Sequence, residues 1–309
     1  MADAAPKVAV VIPVHDGLEL TRRCLSALEA QRPAEFETVL VDDGSTDGTT
    51  DYVRTRHPRV TVLKRDGTLW WSGAVNAGCR HAIAHGADVV VLFNNDNVDC
   101  SVDVISRLAG VAYATGACVS VVALVEGAGG DRTILHSGGS LDWRGRGQQL
   151  RETGLAFAAD ERVEECDWLP GTALAVRTDV FDALGGADDR RFPQYRGDID
   201  LTLRARRAGR SCLVVRDAWV LNDKSQTGFR FDRPLGPRRV MAGLVSRRSP
   251  YNLREAVWFA VRHCPPGLVP RYLALYYGRY FYACLKADHP GVARLRNKVV
   301  RSSGSVTSP

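Results

Sequence analysis

The first 125 residues repeat one pattern: a β-branched or apolar run, a cluster of acids or amides, then a helix-like stretch. Residues 8–14 (VAVVIPV) end at His15-Asp16, residues 36–41 at Asp42-Asp43, and residues 89–93 at Asn94-Asn95-Asp96-Asn97. Residues 18–29 carry apolar side chains at 18, 25 and 28, and the Ala-rich residues 71–86 read as a further helix. Strands at 60–63 and 118–125 and a helix at 102–114 continue the alternation. Short links between alternating elements predict an α/β layer with a mainly parallel sheet. Ligands of open α/β sheets bind outside the carboxyl ends of the strands. One Asp/Asn cluster after a strand is an ordinary turn. Three at successive strand ends converge on one edge.

The rest of the chain changes character. Residues 126–162 are rich in Gly, Arg and Asp and predict an irregular or hairpin-containing insertion. A strand is expected at 168–176, a short helix to 184 capped by Thr178 or Asp179, a helix at 201–208, and one or two strands in 211–220. After Arg233 the pattern is helical, aromatic and basic. A length of 309 residues, 45% hydrophobic, suits one large α/β domain or a domain with an appendage.

Several classes are excluded or disfavoured. No apolar run reaches the 18 residues of a membrane-spanning helix, and MADAAPK lacks the charged-then-apolar pattern of a secretory leader. The eight cysteines form no C-x-x-C pair, so they read as reduced, mostly buried thiols of a cytoplasmic protein. Neither G-x-G-x-x-G nor a P-loop is present. The net charge of +6 divides into +12 over residues 233–309 and −6 over residues 1–232. Residues 251–285 interleave Arg with Trp, Tyr and Phe, as interfacial helices do. This tail fits a membrane surface, packing on the main domain or a homodimer interface. No recognition motif accompanies the charge, which argues against nucleic acid.

Carboxylates with few bases beside them suit a hard divalent cation, Mg2+ or Mn2+, which completes its shell with water and substrate phosphates. In Asp198-Ile199-Asp200, residues two apart on a helix point about 200° apart, so one serves chemistry and the other architecture. Asp200, ahead of Leu201, suits an N-cap. Trp70-Trp71 and Trp168 read equally as core or as walls of a sugar pocket. His136 reads as a solvated loop residue.

Taken in order, VAVVIPVHDG, VLVDDGSTDGT, Asn76-Ala77-Gly78, LFNNDN, WLPGTALAVRTDVFDALGG and FPQYRGDIDLTLRARRAG resemble family 2 glycosyltransferases of the GT-A fold, the rhamnosyltransferase-like subset among them. The resemblance spans about residues 7–228. It implies a mixed, mainly parallel sheet with flanking helices and a C-terminal helical extension. The implied division is a catalytic domain over 1–232, with a donor half to about 125 and an acceptor half from about 126, then a basic helical region over 233–309. The implied activity is inverting transfer from a nucleoside-diphosphate sugar, UDP- or dTDP-linked, to a hydroxyl of a glycan, lipid-linked or small-molecule acceptor. Cell-surface polysaccharide assembly is one setting, at the cytoplasmic side of the membrane as a peripheral protein; natural-product tailoring is another.

Carried over by position, Pro13, His15, Asp42 and Asp43 would line the nucleotide pocket, with Trp71, Asn76 and Asn95 also on the donor side. Asp96 would bind metal and diphosphate, joined by Asn94, which replaces the first acid of a DxD-like motif, and by Asn222, where the family often has a His. Trp168, Gly171, Thr172 and Asp200 would face the acceptor. Asp198 matches the family's general base, with Gly197 in place of the preceding Glu. Two alternatives stand beside this: a sugar-1-phosphate nucleotidyltransferase, although PVHDGLEL is not its phosphate loop, and a degenerate donor-binding scaffold.

Overall fold

A computed structural model describes residues 5–33, 35–127, 129–226, 229, 231 and 236–288. The first half runs β1 (Val8–Val14), α1 (Leu18–Glu29), β2 (Glu37–Asp43), α2 (Thr49–Arg56), β3 (Thr61–Arg65), α3 (Trp70–Ala84), β4 (Val89–Phe93), β5 (Asn97–Cys100), α4 (Val104–Thr115) and β6 (Cys118–Glu126). Then follow β7 (Arg132–His136), β8 (Gly139–Asp142), β9 (Gly147–Leu150), β10 (Val163–Cys166), β11 (Ala173–Arg177), α5 (Thr178–Ala183), α6 (Gly197–Arg207) and β12 (Cys212–Asn222). Helices α7 (Gly236–Val245), α8 (Leu253–His263) and α9 (Val269–Asp288) close the described chain.

The chain divides into two compact units, residues 1–142 with 148–226, and residues 143–147 with 227–309. The boundary expected at 232/233 falls outside the described residues. In the first unit one sheet has the order β10-β12-β6-β11-β4-β1-β2-β3, with β5 on β12 and β7 on β6. Strands β3, β2, β1 and β4 are parallel throughout. β11 enters antiparallel between β4 and β6, so its amino end lies at the edge where the parallel strands have their carboxyl ends.

Alternation along β1 explains the layering, since successive side chains of a strand face opposite ways. Ala9 and Val11 join a core with Ala74 and Val75 of α3 and Leu201 of α6, while Val10 and Ile12 join one with Cys24 and Leu25 of α1 and Leu108 of α4. Burial on both faces is why β1 and β4 read as unbroken apolar runs. Helix α3 approaches closely at Gly78, where a Cβ would collide with Val11 and lie 3.0 Å from Val41.

Two elements differ from expectation, β5 and the start of α6. Residues 97–100 form β5, held by antiparallel pairing to β12. The strand in 211–220 is the single β12, irregular between Val215 and Trp219. Helix α6 begins at Gly197, with Arg196 before it at φ 67, so Asp200 lies inside the first turn and is not an N-cap.

In the second unit the hairpin tip packs among helices. The Trp143 ring lies 5.5 Å from Tyr272 and 6.3 Å from Phe259, and Arg279 donates to the Arg146 carbonyl at 2.8 Å. Tyr280 is fully buried, with Phe229, Phe231 and Tyr251 around it. No helix among the described residues is long and apolar enough to cross a membrane.

Candidate active site

The acids and amides at the strand ends share one sheet edge, but most of the acids are consumed in building it. Asp42 is fully buried; its Oδ1 accepts the Ser45 amide at 2.8 Å and its Oδ2 the Thr50 hydroxyl. Asp43 accepts the amides of Gly67, Leu69 and Trp70 at 3.1, 3.2 and 2.8 Å. These bonds fold the β2–α2 loop and anchor the start of α3. Pro13 is buried within β1, and exposed His15 meets the Asp43 carbonyl through Nδ1 at 2.7 Å.

Asn76 is held by backbone in the same way. It is 4% exposed, donates to the Ala187 carbonyl at 2.9 Å and accepts the Ala187 amide at 2.9 Å, tying α3 to the segment after α5. Trp168, 3% exposed, packs on Gly139 and donates to the Ser140 carbonyl at 3.2 Å. Asn95 donates to Thr21 Oγ1 at 3.2 Å.

A second group converges. Trp71 donates from Nε1 to Asn94 Oδ1 at 2.8 Å. Gly171 lies between Trp71 and Asp198: a Cβ there would sit 2.5 Å from the indole and 3.0 Å from the Asp198 Cβ. The Gly171 amide donates to Asp198 Oδ2 at 2.7 Å, and the Ile199 amide to Oδ1 at 2.8 Å. Asp198 is partly exposed, and burial raises its carboxyl above the usual range against the pull of those two amides. Asp200 is fully buried and paired with Arg204 at 2.8 Å, while Arg204 also donates to the carbonyls of Leu184 and Gly186.

Asp96 is the least satisfied carboxylate of the edge. Its Oδ1 is enclosed and meets no hydrogen-bond partner. Burial pushes the group up to about 6, with the Asn222 bond opposing and the Asp223 charge assisting. Asn222, 7% exposed, also donates to Asn97 Oδ1 at 3.4 Å, and Asn97 donates to the Thr172 carbonyl at 2.6 Å. No three His, Cys, Asp or Glu side chains that could hold a metal group together among the described residues. The donors here suit a different mode. An enclosed carboxylate oxygen without a donor calls for a cation or a proton, and Mg2+ or Mn2+ takes one or two carboxylates together with substrate phosphates.

His136 departs from its expected solvated loop. It lies on β7, 3% exposed, with Nε2 3.1 Å from Thr172 Oγ1 and Nδ1 enclosed without a partner. Burial, assisted by the Lys224 charge, lowers it to about 3, so it is neutral. The β-branched pair Thr133-Ile134 ahead of it was the available signal of a strand.

Residues 9–161 match the glycosyl transferase family 2 model. They belong to that family. The glycosyltransferase is 29% identical over 256 residues to the N-acetylglucosaminyl-diphospho-decaprenol L-rhamnosyltransferase of Mycobacterium tuberculosis, covering 74% of this chain and 79% of that protein. Two solved structures share its GT-A fold. A mannosyltransferase of Pyrobaculum calidifontis, in complex with GDP-Man and Mn2+, aligns with a TM-score of 0.55 and 17% identity over 99% of this chain and 78% of its own. GalNAc-T7 with UDP, GalNAc and Mn2+ aligns with a TM-score of 0.58 and 16% identity over 84% of this chain. The glycosyltransferase spans about half of that last protein, 51%.

Proposed function

We propose that the enzyme transfers a sugar, with inversion, from a nucleoside diphosphate to an acceptor hydroxyl, using Asp198 as general base. The observation that carries this is the division of labour on α6: Asp200 is buried against Arg204, whereas Asp198 is partly exposed beside Gly171 and Trp71. The Gly171 and Ile199 amides hold the Asp198 carboxylate in place, each on one oxygen, and its remaining lone pairs can take a proton. The acceptor oxygen forms the new bond to the anomeric carbon as the carbon–phosphate oxygen bond breaks. The bonding pair leaves with the diphosphate and the hydroxyl proton passes to Asp198. Trp71, fixed through Asn94, offers an aromatic face to the sugar.

Asp96 would hold Mg2+ or Mn2+, with Asn94 and Asn222 as neutral oxygen ligands. When bound, the ion neutralises charge on the leaving diphosphate. The Mn2+ in both solved relatives supports this, as does the donorless Oδ1 of Asp96. A UDP- or dTDP-linked donor is the favoured class. The mycobacterial relative's name supports a lipid-linked diphosphate acceptor and a place in cell-wall or related polysaccharide assembly, with the enzyme peripheral at the cytoplasmic face of the membrane.

The test is Asp198→Asn, assayed for donor turnover with Mn2+ and for donor binding. The expected result is a kcat lower by about 10²–10⁴ with binding retained. Near-normal kcat would exclude Asp198 as the base, and a wild type that binds donor without turnover would mark a donor-binding subunit.

A further inference from the structure

Helix α8 carries apolar side chains on two opposite faces. Ala256, Phe259 and Ala260 are buried, and Phe259 packs toward Trp143 within the second unit. The opposite face bears Leu253, Val257, Trp258 and Val261, exposed by 49, 38, 40 and 61%. A surface helix of a globular protein ordinarily turns polar residues outward. Here the exposed line is apolar, with Arg254 beside it.

Charge in the same unit is just as one-sided. Among its residues with described side chains, eleven are Arg or Lys and one, Glu255, is acidic. Glu255 is 3% exposed. The unit therefore shows water cations and apolar groups, with no exposed carboxylate among the described side chains. Asn252 caps the helix by accepting the Glu255 amide at 3.2 Å, so α8 is ordered to present this face.

We propose that the exposed face of α8 docks on an anionic lipid bilayer, with Trp258, Val257 and Val261 entering the headgroup boundary and the surrounding arginines meeting lipid phosphates. Helices that lie in an interface combine these two features, an apolar line with Trp or Leu and cations flanking it. Basic groups near an anionic leaflet add attraction that salt screens. The inference rests on the glycosyltransferase reading only for its purpose, which is to bring the enzyme to an acceptor held in the membrane.

Full-length protein is mixed with vesicles of phosphatidylcholine alone or with phosphatidylglycerol, and pelleted. Binding at least about tenfold stronger to the anionic vesicles, released by high salt and lost in Trp258→Asp/Val261→Asp, is expected. Both substitutions are at exposed positions, and an unchanged melting temperature verifies the fold. Should the variant misfold, the salt and lipid dependence of the wild type still decides. Equal pelleting on both lipids, or none, overturns the proposal. So does a dimer in sedimentation velocity that the double variant dissolves while vesicles bind neither protein, which would assign the face to a second copy. No nucleotide sugar enters the assay, and Asp198→Asn is expected to pellet like wild type; loss of transfer and loss of docking are therefore separate results.

Discussion

The two aspartates of α6 differ in their polar partners. Asp200 is neutralised by Arg204. Asp198 instead accepts the backbone amides of Gly171 and Ile199, and burial raises its carboxyl. A base must be ionised, so kcat is predicted to increase with pH through a transition above the ordinary carboxylate range and then level off. The same shift makes the ionised form unfavourable in the fold. That cost is absent below the unfolded carboxyl's own range and complete above the folded value. Asp198→Asn, which cannot ionise, is therefore expected to lose this part of the fall of Tm with rising pH; an unchanged profile of Tm against pH would contradict this. His136 offers a second test at this scale. Its bond to Thr172 sits one residue from the Gly171 amide on Asp198. His136→Leu and Thr172→Val are each expected to lower kcat about tenfold, with a coupling of about 0.5–1.5 kcal/mol in the double variant. His136→Gln, whose side-chain amide can donate to or accept from Thr172, should recover much of the loss. Additive effects would show that the bond has no part in positioning.

Among the elements, α3 shows packing overriding intrinsic preference. By propensity alone, Gly78→Ala should stabilise this helix by about 1 kcal/mol. A Cβ there meets Val11 and Val41, so the expected result is destabilisation by about 1–3 kcal/mol, read from the denaturation midpoint. The β-α alternation of the first half was legible because β1, β2, β4 and β6 are largely buried on both faces and so read as local apolar runs. Strand β5 was not, since Asn97–Cys100 is a strand only by pairing with β12, more than a hundred residues away. The site was legible as an edge and less so as individual roles. The sequence motif that marks Asp42, Asp43 and Asn76 gives no sign that their oxygens are used by backbone amides of Ser45, Gly67 and Ala187. Trp168 was ambiguous for a related reason: only Gly139, which leaves room for the indole, makes it core.

For the whole molecule, the two units do not follow the linear order of the chain. Residues 143–147 leave the first unit, enter the second, and return. A cut after residue 226 removes the helices that cover Trp143 and leaves its ring bare. Such a truncation is expected to lose solubility, and replacing 143–147 with a two-residue Asn-Gly turn should restore it; a well-behaved simple truncation, by light scattering and melting, would refute this. The same interlacing limits how such an enzyme can be recombined. A chimera that exchanges only the C-terminal region brings in helices fitted to another protein's hairpin tip, so a surface specificity carried by α8 is heritable only with five residues encoded about a hundred positions upstream of it.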